Sequence, residues 1–502
     1  MSTASFPRWI WLAAALAAPA AVFAQEPAAP RPAVGPPVQR IATASALSTE
    51  RLGSILGVRE LPDGRVLVND GGRRRLLLMD TALSVVAIVL DSLSDVANAY
   101  GTQPGALIPF RGDTTLFVDP ASYAVVVLDP QARIARIRSV WRVEDVPWLM
   151  TMGGAGPGVD ARGRVVYRIP AQPQRPRVAP PPGVPYIPQP PDSAFVVAVD
   201  LETRRADTLG SIRIPRNAVN VRRTVEGRFT FEPVIDPLPR TDEWAVLPDG
   251  VVAFVRGRDY RIEYLNPDGT LTSSAKLPFE WTRLTDEDKA RLADSVKVAQ
   301  QRMATMGYVT MMIRWVNQYG RAYPRGFTVP EGYVLPPGFP KDWILPPGVR
   351  FPPAYIYACA PGQQPISFPA SSGPVPFAVP SFQGGPTPCL PAPVTIGGGV
   401  VPPPPTMRTV SVLPASELPD YKPPIPPGSV RADQDGNLWI RTLPPRPVPG
   451  GVVFDIVDRS GVLVSRLQIP PGYTVAGFGR GKVVYLTTRD AAGIRLARVR
   501  LK

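Results

Sequence analysis

Short runs of apolar and β-branched residues, each introduced by a polar turn built on glycine, recur along most of the chain. The first two copies are Leu61-Pro-Asp-Gly-Arg-Val-Leu-Val-Asn-Asp70 and Phe110-Arg-Gly-Asp-Thr-Thr-Leu-Phe-Val-Asp119. Val159-Asp-Ala-Arg-Gly-Arg-Val-Val-Tyr167 and Leu247-Pro-Asp-Gly-Val-Val-Ala-Phe-Val255 follow, then Asp433-Gln-Asp-Gly-Asn-Leu-Trp-Ile440 and Gly479-Arg-Gly-Lys-Val-Val-Tyr-Leu486. A glycine between two apolar runs predicts a hairpin, because it supplies the positive φ that such turns need. Most units continue with a second strand, a further turn and another strand, as in Leu76 to Met79, Asp80 to Ser84 and Val85 to Leu90 of the first. Later c–d-type turns fall at Asp129-Pro-Gln131, Asn266-Pro-Asp-Gly269 and Asp458-Arg-Ser-Gly461.

The turn glycines Gly64, Gly112, Gly163, Gly250, Gly436 and Gly481 are spaced by 48, 51, 87, 186 and 45 residues. Three intervals match one four-stranded blade of a β-propeller, and the other two match a blade carrying an insertion. Six units are therefore expected. The last runs through Ile494-Arg-Leu-Ala-Arg-Val-Arg-Leu501 without an outer strand, while 38–44 (Val-Gln-Arg-Ile-Ala-Thr-Ala) is β-like and unassigned. The expectation is an all-β, six-bladed propeller whose ring is closed by this N-terminal strand, which hides the sheet edges.

The stretch 61–76 resembles a blade of the NHL-type and TolB-like six-bladed propellers. The resemblance covers units one, two, four, five and six, with unit three degraded. It implies the fold and leaves function open, since scaffolds, receptors, lactonases and lyases share it. Propellers similar to gluconolactonases and paraoxonases hold a catalytic Ca²⁺ with Glu, Asn and Asp; Asn69, Asp70, Asp119 and Asn220 are the residues of that kind, without a matching motif around them. The expected primary role is a binding or interaction module with no cofactor. The alternative is a Ca²⁺-dependent lactonase- or esterase-like hydrolase.

Strands a to d of a blade alternate in direction. The b–c loops and the links to the next blade share one face, and the a–b and c–d turns share the other. The additions at 170–191, 215–240 and 278–428 all fall on the first face. Function commonly sits in loops carried by a rigid scaffold, so this is the expected binding face; cheap, tolerated insertion is the competing explanation. Its candidate residues are Asp70, Arg73, Asp119, Arg256, Arg258, Arg441, Arg489 and Asp490, together with Asp259. A ring of alternating charge can take a charged ligand; the same residues also serve to cap strand ends and tie blades together. The insertion 278–428 opens with Thr285-Asp-Glu-Asp288, a helix N-cap with acids in the first turn. Ala290, Ala293, Val296, Ala299 and Met303 predict an amphipathic helix of about 18 residues packed on the propeller. Beyond it, Pro-Pro-Gly repeats interleaved with aromatics predict an extended, partly ordered flap.

The chain has 502 residues and a net charge of +14. Residues 1–24, with Arg8, an apolar run at 9–18 and Val22-Phe23-Ala24, read as a signal peptide cleaved after Ala24, followed by a Pro/Ala-rich linker at 25–37. The blades then occupy 38–277 and 429–502. A periplasmic or secreted location and no membrane span are expected. The absence of histidine excludes a Ser-His-Asp triad, a His-metal site and a His pH switch. Cys359 and Cys389 are the only cysteines, and in an oxidising compartment they are expected to pair as one disulfide in the flap, two unpaired thiols in a loose segment being the alternative. The basic charge is dispersed, with Arg73-Arg74-Arg75 its densest run. It suits an unknown protein, a peptide or an anionic polymer better than a specific nucleic acid.

Overall fold

The computed structural model describes residues 35–92, 98–150, 155–170, 191–215, 218–223, 229–319, 395–396, 399–400, 411–444 and 448–501; it gives no side chains for 222–223, 229–231, 305–319, 395–396 and 399–400. The leader, Cys359, Cys389, the 171–190 loop and most of the Pro-rich stretch lie outside these residues.

Six sheets carry the repeats. The first is Ile55–Glu60, Val66–Asp70, Arg75–Met79 and Val85–Asp91 (β3–β6). The second is Ala106–Pro109, Thr115–Asp119, Ala124–Leu128 and Ile134–Ser139 (β7–β10). The third is Gly158–Val159, Val165–Pro170, Ser193–Val199 and Ala206–Arg213 (β11–β14). The fourth is Glu243–Val246, Val252–Arg256, Arg261–Leu265 and Leu271–Ser273 (β17–β20). The fifth is Val430–Ala432, Leu438–Arg441, Val452–Val457 and Leu463–Ile469 (β24–β27). The sixth is Tyr473–Gly479, Val483–Asp490 and Gly493–Arg500 (β28–β30). Within each sheet these strands pair antiparallel in chain order, the fifth and sixth sheets each gaining one further strand from the N-terminal segment. The protein is an all-β propeller.

The local chemistry behaves as the sequence predicts. Gly64, Gly112, Gly163, Gly250, Gly436 and Gly481 all adopt positive φ, from 65° to 88°. Aspartates fasten many of the turns from within. Asp80 Oδ1 accepts the Ala82 and Ser84 N–H groups at 2.9 and 2.8 Å, and Asp458 Oδ1 accepts those of Ser460 and Val462 at 2.9 and 3.0 Å. Such side-chain-to-backbone bonds satisfy donors that the ladder leaves open.

The strands are apolar without alternation because both faces of each sheet are covered. Val66 and Val68 face the sixth sheet with Tyr485 and Leu496, whereas Leu67 faces the second with Phe117 and Val126. Comparable cores join sheets two and three, three and four, four and five, and five and six. Tyrosines add polar ties across these seams. Tyr260 donates to Asp455 Oδ2 at 2.7 Å, Tyr100 to Asn69 Oδ1 at 2.8 Å, Tyr485 to Glu60 and Tyr167 to Asp145. Burial raises these phenols well above their ordinary range, Tyr100 to about 12. They therefore remain hydrogen-bond donors.

The N-terminal closure is present but displaced from its expected residues. Ala46–Leu47 (β2), not 38–44, pairs antiparallel with β30 as the outer strand of the sixth sheet. Val38–Arg40 (β1) instead adds a parallel strand to β27 of the fifth. The buried Ser48 anchors the crossing, its hydroxyl accepting the Leu496 N–H at 3.1 Å.

The long connections contain structure that the repeat pattern did not announce. Val219–Arg223 and Phe229–Ile235 (β15 and β16) form a hairpin in the link from sheet three to sheet four. Ser411–Val412 (β23), from the next long link, pairs parallel with β16. That second link also holds a short ladder of Thr395–Ile396 and Gly399–Val400 (β21 and β22). A helical turn, Val146–Leu149 (α1), lies between sheets two and three. The helix Asp286–Tyr319 (α2) is 34 residues long, nearly twice the expected length. Its capping box is as read: Thr285 Oγ1 accepts the Asp288 N–H and Asp288 Oδ2 accepts the Thr285 N–H, each at 3.1 Å. The expected packed stripe is not formed, for Ala290, Ala299 and Met303 are exposed. Its start is docked, through the buried Lys289 donating to Asp420 Oδ1 at 2.7 Å. The two ends of the insertion run together there, with Leu284 N donating to Asp420 O and Lys422 N to Thr282 O. No helix among the described residues is long and apolar enough to cross a membrane.

Candidate ligand-binding face

Sheet topology fixes which connections share an end. Every a–b and c–d turn is short, the longest being 200–205. Residues 171–192, the β15–β16 hairpin and the insertion containing α2 all leave from the opposite end of their sheets. The exposed aromatics have the same distribution. Tyr123 sits in a b–c turn, Trp148 in α1, Trp281 and Tyr421 in the link after sheet four, and Phe195 near the b–c end of β13; all are 38–50% exposed. Exposed aliphatics such as Val86, Ile88, Ile137, Leu271 and Val464 lie on outer strands around the rim.

The residues expected at this end are mostly occupied with structure. Asp70 is fully buried, and its Oδ1 accepts the N–H groups of Gly53, Ser54 and Arg73 at 3.0, 3.0 and 3.3 Å. Asp119 caps its own turn, accepting the Ala121 N–H at 3.0 Å and the Ser122 hydroxyl. Arg73 pairs with Glu50 at 3.3 Å. Arg256 bridges sheets, donating to Glu263 at 2.8 Å, Ser211 O at 2.8 Å and Asp242 at 3.1 Å. Asp490 pairs with Arg51, which holds its carboxyl below the usual range. Asp259 stands 3.9 Å from both Arg261 and Lys276. Arg258 and Arg489 are exposed. Asn69 spends its amide on Gly105 O and Tyr100, and Asn220 is an exposed residue of the added hairpin. Thus Asn69, Asp70 and Asp119 each hold structural partners, and Asn220 belongs to the added hairpin. Among the described residues, no three acidic, cysteine or histidine side chains form a group able to hold a metal.

Arg441 belongs to a different arrangement, one that the sequence did not reveal. Glu243 opens β17, is buried, and accepts the Gly428 N–H on Oε1 at 2.7 Å. Burial raises its carboxyl to about 7, although Gly428, Arg168 and Arg441 pull the other way; the adjacent Asp242 adds to the rise. Arg168 is exposed on β12, past the point where the inner strand β11 stops pairing at Val166. Arg441 ends β25, and Arg431 lies on β24, donating to Val475 O at 2.8 Å. Desolvation lowers both of these arginines. Buried Thr241 and Ser429 stand at the same strand entrances, their hydroxyls without partners. The only signal in the sequence was an acid opening a strand directly after a long link.

No protein-family model matches this sequence, and no curated protein sequence matches it. Solved structures give distant likenesses. A streptogramin B lyase is 10% identical, covering 47% of this chain and 58% of its own, with a TM-score of 0.23. The virginiamycin B lyase of Staphylococcus aureus is 11% identical over 47% of this chain and 73% of its own, TM-score 0.24. A gluconolactonase from Xanthomonas campestris is 12% identical over 93% of this chain and 99% of its own, TM-score 0.30. The propeller assignment rests on the sheet topology and not on these.

Proposed function

We propose that the chain is an exported six-bladed propeller of the NHL- or TolB-like kind, acting as a binding module through its elaborated end. Each of the six sheets is one blade, and the ligand is a protein, a peptide or a polymer of the cell envelope. The observation that carries this reading is the gathering, among the described residues, of the exposed aromatics at the end where the connections are long. Aromatic side chains supply much of the energy of protein interfaces, and burying them against a partner recovers their hydration cost. The test is capture from an envelope extract by the immobilised mature chain, compared with a Trp148→Ala/Trp281→Ala variant and a rim variant, Val86→Thr/Ile88→Thr. Capture that the first variant loses and the second keeps supports the reading. Equal capture by all three, or none by the wild type, overturns it.

A further inference from the structure

The outer strand of each sheet leaves a row of backbone N–H and C=O groups unpaired, and such an edge invites strand addition unless it is short, charged or covered. Five of the six sheets have one of these protections. β20 is three residues long, and β2, which ends the sixth sheet, is two. β10 carries Arg136 and Arg138, the second laid across to Glu202 at 2.9 Å. β14 carries Asp207 and Arg213, and its carbonyls Ser211 O and Arg213 O are taken by Arg256 Nη1 and the Asp242 N–H, each at 2.8 Å. β27 is covered by β1 as a parallel fifth strand. Among the described residues β6 is the exception. Val85-Val-Ala-Ile-Val-Leu90 runs for six residues without a charge, a proline or a glycine. Val86 is 55% and Ile88 44% exposed, and Ala87 between them is exposed as well. No backbone group outside the sheet bonds 85–90 among the described residues; the edge closes at Asp91, whose N–H donates to Asn98 O and whose O accepts the Tyr100 N–H. The β5–β6 ladder has two register shifts, which do not bar a further strand. The β26–β27 ladder is shifted too, and β27 still takes β1.

We propose that β6 is a self-recognition edge, through which two copies of this chain pair their β6 strands antiparallel about a two-fold axis. Uncharged segments of six or seven residues, rich in β-branched side chains and free of Pro and Gly, are the ones that pair with their own kind. A two-fold contact sets the same patch against itself, and Val85–Leu90 meets only neutral, apolar side chains when it faces a second Val85–Leu90. The charge of the molecule favours the same place. Two chains of net charge +14 repel, so they approach best along a strand that presents no charge. The pair is closed, because each copy offers one such edge among the described residues; a second would build a fibre. One strand pair buries less than the roughly 800 Å² per partner typical of stable dimers, so the association is reversible, with a dissociation constant of about 100 μM. The contact lies on the rim and leaves the elaborated end open, so it stands independently of the ligand face.

The experiment is sedimentation velocity of the chain beginning at Gln25 from about 5 to 500 μM, in about 20 and 200 mM salt, read beside peptide-level hydrogen exchange. The mass is expected to rise with concentration to twice that of the monomer. Exchange over 85–90 should slow at least about fivefold across the same range, and the higher salt should tighten the association at least about threefold. Ile88→Lys and, separately, Val86→Lys remain monomeric at about 500 μM with an unchanged melting temperature; Val86 is the more exposed and serves if Ile88→Lys misfolds. Ile137→Lys, at an exposed position of β10, changes the dissociation constant by less than about threefold. A wild type that is monomeric throughout overturns the proposal, as does a dimer that both β6 variants retain. An equal loss from Ile137→Lys reveals a general effect of added charge and also overturns it, and growth beyond twice the monomer mass overturns the closed pair. A chain that is monomeric alone, yet slows its exchange at 85–90 on addition of envelope extract, assigns the edge to another polypeptide and sinks self-pairing.

Discussion

Asp70 and Glu243 are both buried carboxyls at the elaborated end, and their surroundings assign them opposite work. Three N–H groups converge on one oxygen of Asp70, so its charge holds the entrance of the first sheet to its b–c turn. Asp70→Ala leaves those donors unsatisfied and should lower the unfolding free energy by about 2–4 kcal/mol, read from urea denaturation. Glu243 has a single such donor, and its folded-state affinity for a proton is raised from 4.5 to about 7. Between those values the unfolded chain has released the proton that the folded chain still holds. Stability contributed by this group is therefore present below about pH 4.5 and is lost as pH rises to about 7, a change of roughly 3 kcal/mol. Glu243→Gln should flatten that slope in the difference between variant and wild-type denaturation midpoints, and an unchanged slope would refute the assignment. Arg204 gives a simpler test. It is exposed and has φ 59° in a c–d turn, where the fourth and fifth sheets use Gly269 and Gly461. Arg204→Gly should stabilise by about 0.5–1 kcal/mol and raise the melting temperature.

At the scale of elements, what was legible followed from strong local chemistry. A glycine with positive φ between apolar runs specifies its turn wherever it lies, so all six a–b turns were placed correctly. The c–d turns at Leu83, Ala132 and Arg204 achieve left-handed geometry without glycine, stabilised by aspartates such as Asp80 and Asp129. Pairing partners were less legible, because a β-like segment does not announce which edge it joins. Thus 38–40 and 46–47 went to different sheets, and only the polar Thr43 and Ser45 between them hint at the break. The hairpin β15–β16 takes its third strand, β23, from the next long link, a pairing that the repeat pattern does not specify. The surroundings of Glu243 were illegible for the same reason: its partner Gly428 comes from the other long link and precedes a strand of the next sheet. The closing strand yields its own prediction. An N-terminal truncation ending before Val38 should leave the melting temperature within about 2 °C of that of the chain beginning at Gln25. One removing residues through Leu52 exposes the β30 edge and deletes a buried leucine, so it should cost about 3 kcal/mol or more and promote aggregation.

In the whole molecule, each sheet is held by a hydrophobic core on both faces, and the core between sheets six and one completes the sequence of seams. No sheet has a core of its own, so none has independent stability. Weakening one seam should therefore lower the stability of all of them together. The net charge of +14 acts on the same cooperative unit through long-range repulsion, which screening relieves. Phe117 lies fully buried in the seam between sheets one and two, in edge-on contact with Tyr100 at 4.9 Å. Phe117→Ala should cost about 3–5 kcal/mol while unfolding remains a single transition by both far-UV circular dichroism and tryptophan fluorescence. Among the described residues, the buried tryptophans Trp141, Trp244 and Trp439 all belong to other seams. Coincident shifts of both signals therefore report transmission around the ring. A fluorescence transition left at its wild-type midpoint while the circular dichroism curve splits would show that the seams melt independently. Raising salt from about 20 to 200 mM should move both midpoints upward together.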